Sequence, residues 1–293
     1  MYAFTLCVIK PWLGLNTFWG LLHIILFNSF SLIAIYSHIM AMTTDPGAVP
    51  KNAYPLQDDT QEMNILDNGV NNGNNNNNNN INNNNVNNGS NNNTIPKFKK
   101  FCKKCEAFKP ARAHHCSICM RCIVKMDHHC PWVNNCVGIG NHKFFILFIF
   151  WTNVVCSYSL VMVLSMYSAC IFRYGKCVTD ANENVLGVLL LVESILFGLF
   201  TLCMIADQGS SISSNQTQID RLKNMRHESP AHLLEINEVF GTPNNISFEW
   251  KWLLPIIVKY PDNLKDKIMG IIVIVVFIFM ILLLLLLLLL LYL

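Results

Sequence analysis

The chain has 293 residues, 52% of them apolar and only 13% charged, with a net charge of +3. A soluble domain with so large an apolar share would lack the polar surface to cover it, so that class is excluded. The apolar residues also come in blocks, which points to membrane spans.

Residues 1–15 are apolar but interrupted by Lys10 and Pro11, with no small-residue cleavage site, so no secretory signal of the usual form is expected. The first clear span is predicted at 18–42, within an N-terminal region 1–44, and acts as its own insertion signal. Further apolar runs lie at 144–172, 185–206 and 268–293. Each exceeds 20 residues, enough at 1.5 Å per helical residue to cross a hydrocarbon core of roughly 30 Å.

Between the first two spans, residues 45–97 read as a linker. Asparagine dominates 64–93, a composition that cannot bury enough apolar area to offset its conformational entropy, so disorder is expected there. A prion-like self-associating role for this tract is the alternative reading. The pair of spans at 144–206 is separated by a short lumenal loop. A polar region, 207–267, follows, and the Leu-rich tail 268–293 reads as an anchor.

Ten of the 21 Lys and Arg fall between Lys97 and Lys143, and seven more lie in 207–267. By the positive-inside tendency both polar segments face the cytosol. Glu193, inside a predicted span, is costly against lipid and is expected to face the bundle interior, paired with a span hydroxyl.

Segment 98–143 holds the chemistry. Seven of the 12 cysteines lie between Cys102 and Cys136. On a cytosolic, reducing side such a cluster argues for metal or catalysis, not disulfides. Cys102-x2-Cys105, then His115-Cys116-x2-Cys119-x2-Cys122, then Asp127-His128-His129-Cys130 and Cys136, suit tetrahedral zinc. The segment is too poor in apolar residues to form a core unaided, so metal supplies its stability. Two closed sites need eight ligands. Seven cysteines and five histidines, counting His114 and His142, exceed that number, and spacing alone does not say which are surplus. Asp127, His128 and Cys130 offer the parts of a relay in which carboxylate orients imidazole and imidazole takes a thiol proton. On spacing alone, Cys130 is equally a nucleophile or one more zinc ligand.

The run Phe101 to Phe145, centred on Asp127-His128-His129-Cys130-Pro131-Trp132-Val133-Asn134-Asn135-Cys136, resembles the cysteine-rich domain of the DHHC protein S-acyltransferases, the palmitoyltransferases. Asp45-Pro46-Gly47 after the first span resembles that family's Asp-Pro-Gly motif. Thr217-Gln218-Ile219-Asp220 falls where the family has Thr-Thr-x-Glu. Asn237 to Gly241, with Trp252-Leu253-Leu254-Pro255, is similar to its C-terminal region.

The resemblance implies a multi-pass α-helical membrane protein with a small cytosolic two-zinc cysteine-rich domain. One structural zinc would take Cys102, Cys105, His115 and Cys122, the other Cys116, Cys119, His129 and Cys136. Cys130 is then the nucleophile, His128 the general base and Asp127 the residue that orients it. The reaction implied is ping-pong transfer of a long-chain acyl group from acyl-CoA to cysteines of membrane-associated proteins. Lys109, Arg112 and His114 are candidate acyl-CoA contacts, the first two equally readable as a solvated or lipid-attracted basic face. An endomembrane, Golgi or ER, is the expected location. Nucleic acid is not an expected partner of a domain tethered to a bilayer.

The chain departs from the family pattern in two places. Gln218 and Asp220 stand where the family has Thr and Glu, from which modulation rather than loss is expected. Only one clear span precedes Asp-Pro-Gly where the family has two. The alternative from another class is a non-catalytic, membrane-anchored zinc module that recruits partner proteins.

Overall fold

Thr17 starts the first long helix: its hydroxyl accepts the Gly20 amide at 3.0 Å, satisfying one of the orphan donors of the first turn. From there α1 runs Phe18–Thr43. A Cβ on Gly20 would lie 2.0 Å from the Gly14 carbonyl oxygen, so the turn into α1 closes only over a glycine. The computed structural model describes residues 1–53, 101–110, 112–172, 181–224, 239–240 and 250–257. The asparagine tract 64–93 and the tail 268–293 lie outside the described residues.

Two further long helices follow, and α2 (His142–Phe172) packs on both α1 and α3 (Ala181–Ser214). All three are long and apolar enough to span a bilayer, in agreement with three of the predicted spans, and the protein is a multi-pass α-helical membrane protein. The third span was placed at 185–206 by hydropathy, whereas the helix continues to Ser214. Hydropathy falls at Asp207, but the backbone ladder does not stop there.

The burial pattern of α3 is inverted relative to a soluble helix. Its exposed positions include Val185, Val188, Leu189, Leu196 and Leu202, while its buried ones are Gly187, Ser194, Thr201, Gln208 and Ser211. Lipid offers no hydrophobic reason to bury leucine, so helices associate through small and hydrogen-bonding residues. Asn153 of α2 donates to the Gly198 carbonyl and the Thr201 hydroxyl at 2.9 and 3.1 Å. Glu193 lines a cavity of about 380 Å³ shared by α1, α2 and α3, toward the bundle interior as expected, but among the described residues it meets no hydroxyl.

The N-terminal stretch is helical through Tyr2–Phe4, Thr5–Ile9 and Lys10–Trp12, with one wide π-type turn. It is packed into the bundle: Phe4, Val8 and Ile9 are fully buried against Phe27, Met162 and Val163. Lys10 pairs with Glu183 at 2.9 Å.

By contact density the chain divides into two units, Met1–Pro46 with Asp127–Leu293, and Gly47–Met126. The second contains two hairpins, β1 (Phe101–Cys102) with β2 (Ala107–Phe108), and β3 (Ala113–Cys116) with β4 (Arg121–Val124). Gly47 sits at φ +95°, and its carbonyl accepts the Val124 amide at 2.9 Å. The glycine of Asp-Pro-Gly is therefore required by a left-handed backbone. A third hairpin, β5 (His128–Cys130) with β6 (Asn135–Val137), belongs to the helical unit.

Candidate active site

The Cys102-x2-Cys105 and Cys116-x2-Cys119 pairs are each followed by a residue with left-handed backbone, Glu106 at φ +50° and Met120 at φ +54°. That repeated turn brings two thiols of a short loop together. In the β3–β4 register His115 lies directly opposite Cys122, so the two share a face. His115 Nδ1 stands 3.1 Å from the Cys105 sulfur, 3.6 Å from Cys102 and 4.0 Å from Cys122, and Cys105 and Cys122 are 3.7 Å apart. Ligands of a tetrahedral zinc with Zn–S near 2.3 Å sit about 3.5–3.8 Å from one another. These four residues fit that ion, as their donor types do.

The other ligand set is divided between the units. Within the Gly47–Met126 unit, the Cys119 amide donates to the Cys116 sulfur at 3.4 Å. Within the helical unit, His129 lies opposite Cys136, with its Nδ1 3.7 Å from the sulfur. In composition this set, too, is three cysteines and one histidine.

Side chains alternate along a strand. His128 and Cys130 therefore share one face of β5, and His129 takes the other with Cys136. Cys130 is buried among Met40, Ala41, Val133, Phe144 and Phe145, where the ends of α1 and α2 meet. The Phe145 ring meets His128 edge-on at 5.3 Å. Asn135, opposite Cys130, donates to the carbonyls of Ala41, Met42 and Thr44 at 3.0–3.3 Å, capping the orphan acceptors at the end of α1. Asn141 adds a bond to Ala41 at 3.1 Å and one to the Cys136 carbonyl at 2.8 Å. The hairpin is thus stapled to the end of the bundle.

Asp127 is 1% exposed and satisfied on both oxygens. Oδ2 takes His128 Nδ1 and Gln208 Nε2, each at 2.9 Å. Oδ1 takes the Gln218 amide at 2.8 Å and the Ser211 hydroxyl at 3.4 Å. Burial alone would raise its pKa. Donation from His128, the His142 charge and bonds from Gln208 and Gln218 outweigh burial and hold the carboxyl well below its usual range. Burial likewise opposes the charged form of His128, yet Asp127 and Cys130 raise the ring to about 9. At Cys130 burial pushes the thiol up, while His128 and the backbone amides of Val133 and Trp132 bring it below its ordinary value. The three groups favour carboxylate, imidazolium and thiolate together.

The Thr-Gln-Ile-Asp motif supports Asp127 by a route that side-chain reasoning missed. Thr217 caps the short helix α4 (Gln218–Leu222). The Asp220 amide donates to its hydroxyl and the Thr217 amide to the Asp220 carboxylate, both at 3.2 Å. This is a capping box in which Asp does the work of Glu. The contact to Asp127 comes from the main-chain amide of Gln218, whereas its side chain turns to Asp207 at 2.6 Å. Gln218 and Asp220 thus supply a main-chain donor to Asp127 and a complete capping box.

Gln208, Ser211 and Asn141 were not singled out from the sequence. His142 Nε2 meets Gln208 Oε1 at 2.7 Å, which fixes the Gln208 amide with its NH₂ toward Asp127. Gln208→Leu would remove the acceptor facing a part-buried nitrogen of His142 and strip a donor from Asp127. It should cost about 2–3 kcal/mol, read as a lowered unfolding midpoint in detergent.

Of the three candidate acyl-CoA contacts, all lie in the Gly47–Met126 unit. Lys109 follows β2, Arg112 is left-handed at φ +57°, and His114 is in β3 at 6% exposure.

A sequence model described as DHHC palmitoyltransferase matches residues 95–225. The chain is 39% identical over 212 residues to palmitoyltransferase ZDHHC3-A of Danio rerio, covering 71% of this chain and 58% of that protein. It is 35% identical to palmitoyltransferase ZDHHC3 of Rattus norvegicus over 79% of this chain and 68% of that protein. A more distant likeness, 34% over 60% of this chain and 56% of the relative, is to probable protein S-acyltransferase 15 of Arabidopsis thaliana.

Proposed function

The chain belongs to the DHHC palmitoyltransferase family, and from that premise we propose that it moves a long-chain acyl group from acyl-CoA to protein cysteines through an acyl-Cys130 intermediate. The observation that carries this reading is the Asp127–His128 bond at 2.9 Å beside a hairpin that sets His128 and Cys130 on one strand face at the end of the helical bundle.

The Cys130 thiolate attacks the acyl-CoA carbonyl, forming a new C–S bond. The bond to the CoA sulfur breaks, and His128 Nε2 gives its proton to the departing thiolate. In the second half His128 takes the proton of an acceptor cysteine, whose thiolate attacks the acyl-Cys130 carbonyl and releases Cys130. Both bonds exchanged are thioesters, so the work of the protein is thiolate formation and placement. Asp127 holds Nδ1–H so that Nε2 faces the sulfur. The cavity among α1, α2 and α3 offers the acyl chain an apolar wall of Phe27, Val155, Leu190 and Phe197.

Cys102, Cys105, His115 and Cys122 hold one zinc, and Cys116, Cys119, His129 and Cys136 hold the second. Zinc supplies cross-links that a core this small lacks. Lys109 and Arg112 are proposed to meet CoA phosphates, with His114 beside the donor. The acceptors are membrane-associated proteins, and the hairpin end of the bundle faces the cytosol of an endomembrane, Golgi or ER, as the charge bias favours.

Purified protein incubated with radiolabelled palmitoyl-CoA should acquire a label that hydroxylamine removes and that a cysteine peptide takes over. Absence of label, or a label resistant to hydroxylamine, would overturn the assignment and favour the non-catalytic zinc module.

A further inference from the structure

The turn that follows the nucleophile carries two main-chain amides facing the reacting sulfur, those of Trp132 and Val133. The turn is closed by the Asn134 amide on the Pro131 carbonyl at 3.2 Å, with Asn134 left-handed at φ +46°. Its outer residues Pro131, Trp132 and Asn134 are exposed, with the Trp132 ring tilted against Phe200 at 5.7 Å.

One side chain grips the turn from outside. His38, on α1, places Nε2 3.0 Å from the Trp132 carbonyl oxygen. A carbonyl only accepts, so Nε2 carries the hydrogen. The imidazole is itself held by the Phe148 ring, centroid to centroid 4.7 Å. Because a trans peptide is planar, its C=O and N–H point in opposite directions. Fixing the Trp132 carbonyl on His38 therefore fixes the direction of the Val133 N–H, one of the two amides at the Cys130 sulfur.

We propose that His38 is a positioning residue that, by holding the Trp132 carbonyl, keeps the Val133 amide aimed at the Cys130 sulfur and at the oxyanion formed when that sulfur attacks. Preorganised main-chain donors at such a point stabilise charge with no reorganisation during the step. His38 touches neither substrate nor nucleophile, and its protonation is not part of the argument, since a neutral ring with hydrogen on Nε2 suffices. The inference rests on Cys130 being the acylated residue.

The test uses the full chain in detergent with three variants, His38→Phe, His38→Gln and Cys130→Ser, and single-turnover labelling by radioactive palmitoyl-CoA. His38→Phe keeps a ring against Phe148 and removes the donor. It should slow acyl-enzyme formation about 10-fold, part of the effect of deleting an oxyanion donor outright. The acyl-CoA concentration at half-maximal rate and the zinc content should be unchanged. His38→Gln, which restores an N–H, should recover most of the rate. Equal rates in wild type and His38→Phe would overturn the proposal. So would a loss that Gln fails to rescue and that travels with zinc or the unfolding midpoint, which is the signature of a merely structural residue. Undiminished label in Cys130→Ser would instead overturn the nucleophile assignment, so the two failures are distinguishable.

Discussion

Cys130→Ser should abolish the hydroxylamine-sensitive label while leaving bound zinc unchanged, and His129→Ala, one residue away, should first lose zinc. The contrast follows from the pleat of a three-residue strand. Cys130 shares its face with His128 and is buried against the helix ends, whereas His129 looks the other way, toward Cys136. Serine conserves the size of the side chain, so the site should stay packed. An unassisted hydroxyl is a poor nucleophile toward a thioester and lacks the thiolate population that His128 and two amides maintain at Cys130. His129→Ala removes one of four proposed ligands, and metal binding is folding free energy in a domain with so small a core. Metal content by mass spectrometry, measured beside the label, separates the two. If Cys130→Ser loses zinc as His129→Ala does, Cys130 is a ligand and the catalytic reading falls.

Asp127→Asn should slow acyl-enzyme formation by roughly 10²–10⁴, the range expected when the orienting carboxylate of a relay is replaced by its amide. The carboxylate accepts four donors on two oxygens. An asparagine presents one acceptor oxygen and an NH₂ group. Whichever way it turns, the NH₂ faces either His128 with Gln208, or the Gln218 amide with Ser211. In the first orientation His128 is pressed toward the tautomer with bare Nδ1 and hydrogen on Nε2, which cannot take a proton from sulfur. In the second, the main-chain donor of α4 is orphaned at a cost of about 1–3 kcal/mol. The two cases separate by measurement. A slowed rate with an unchanged unfolding midpoint identifies the tautomer effect, while loss of both identifies the broken network. A variant that labels at the wild-type rate would remove Asp127 from the mechanism.

Much of this was legible in the sequence for a simple reason: local spacing determines local geometry. Cys-x2-Cys pairs are settled within a few residues, so a metal cluster was recognisable from spacing, while the grouping of Cys102, Cys105, His115 and Cys122 came from the family resemblance, and the four are found together. The spans were legible because lipid selects for long apolar runs. The supports of Asp127 were not. Gln208 and Ser211 lie more than 80 positions from it and look, in sequence, like the ordinary polar end of a span. Gln218 was read by its side chain, although the contact is made by its backbone, which every non-proline residue shares. Glu193 shows the opposite limit. The cost of charge in lipid predicted a carboxylate turned to the bundle interior, and it lines the cavity there, but the hydroxyl expected beside it is not found among the described residues.

The buried face of α3 has a further consequence. Gly187, Ser194, Thr201 and Gln208 recur at every seventh position, one continuous seam ending at the amide that holds Asp127. Advancing such a seam by one residue would swing it through about 100° and carry Gln208 away from the carboxylate. The helix is in effect a key, cut along its whole length, whose tip aligns the proton relay. A bulky residue at Gly187, where a Cβ would already lie 2.9 Å from the Tyr167 hydroxyl, acts some 30 Å of helix away from Gln208. The hold on Asp127 at one end of α3 is therefore answerable to the fit of side chains at its other end.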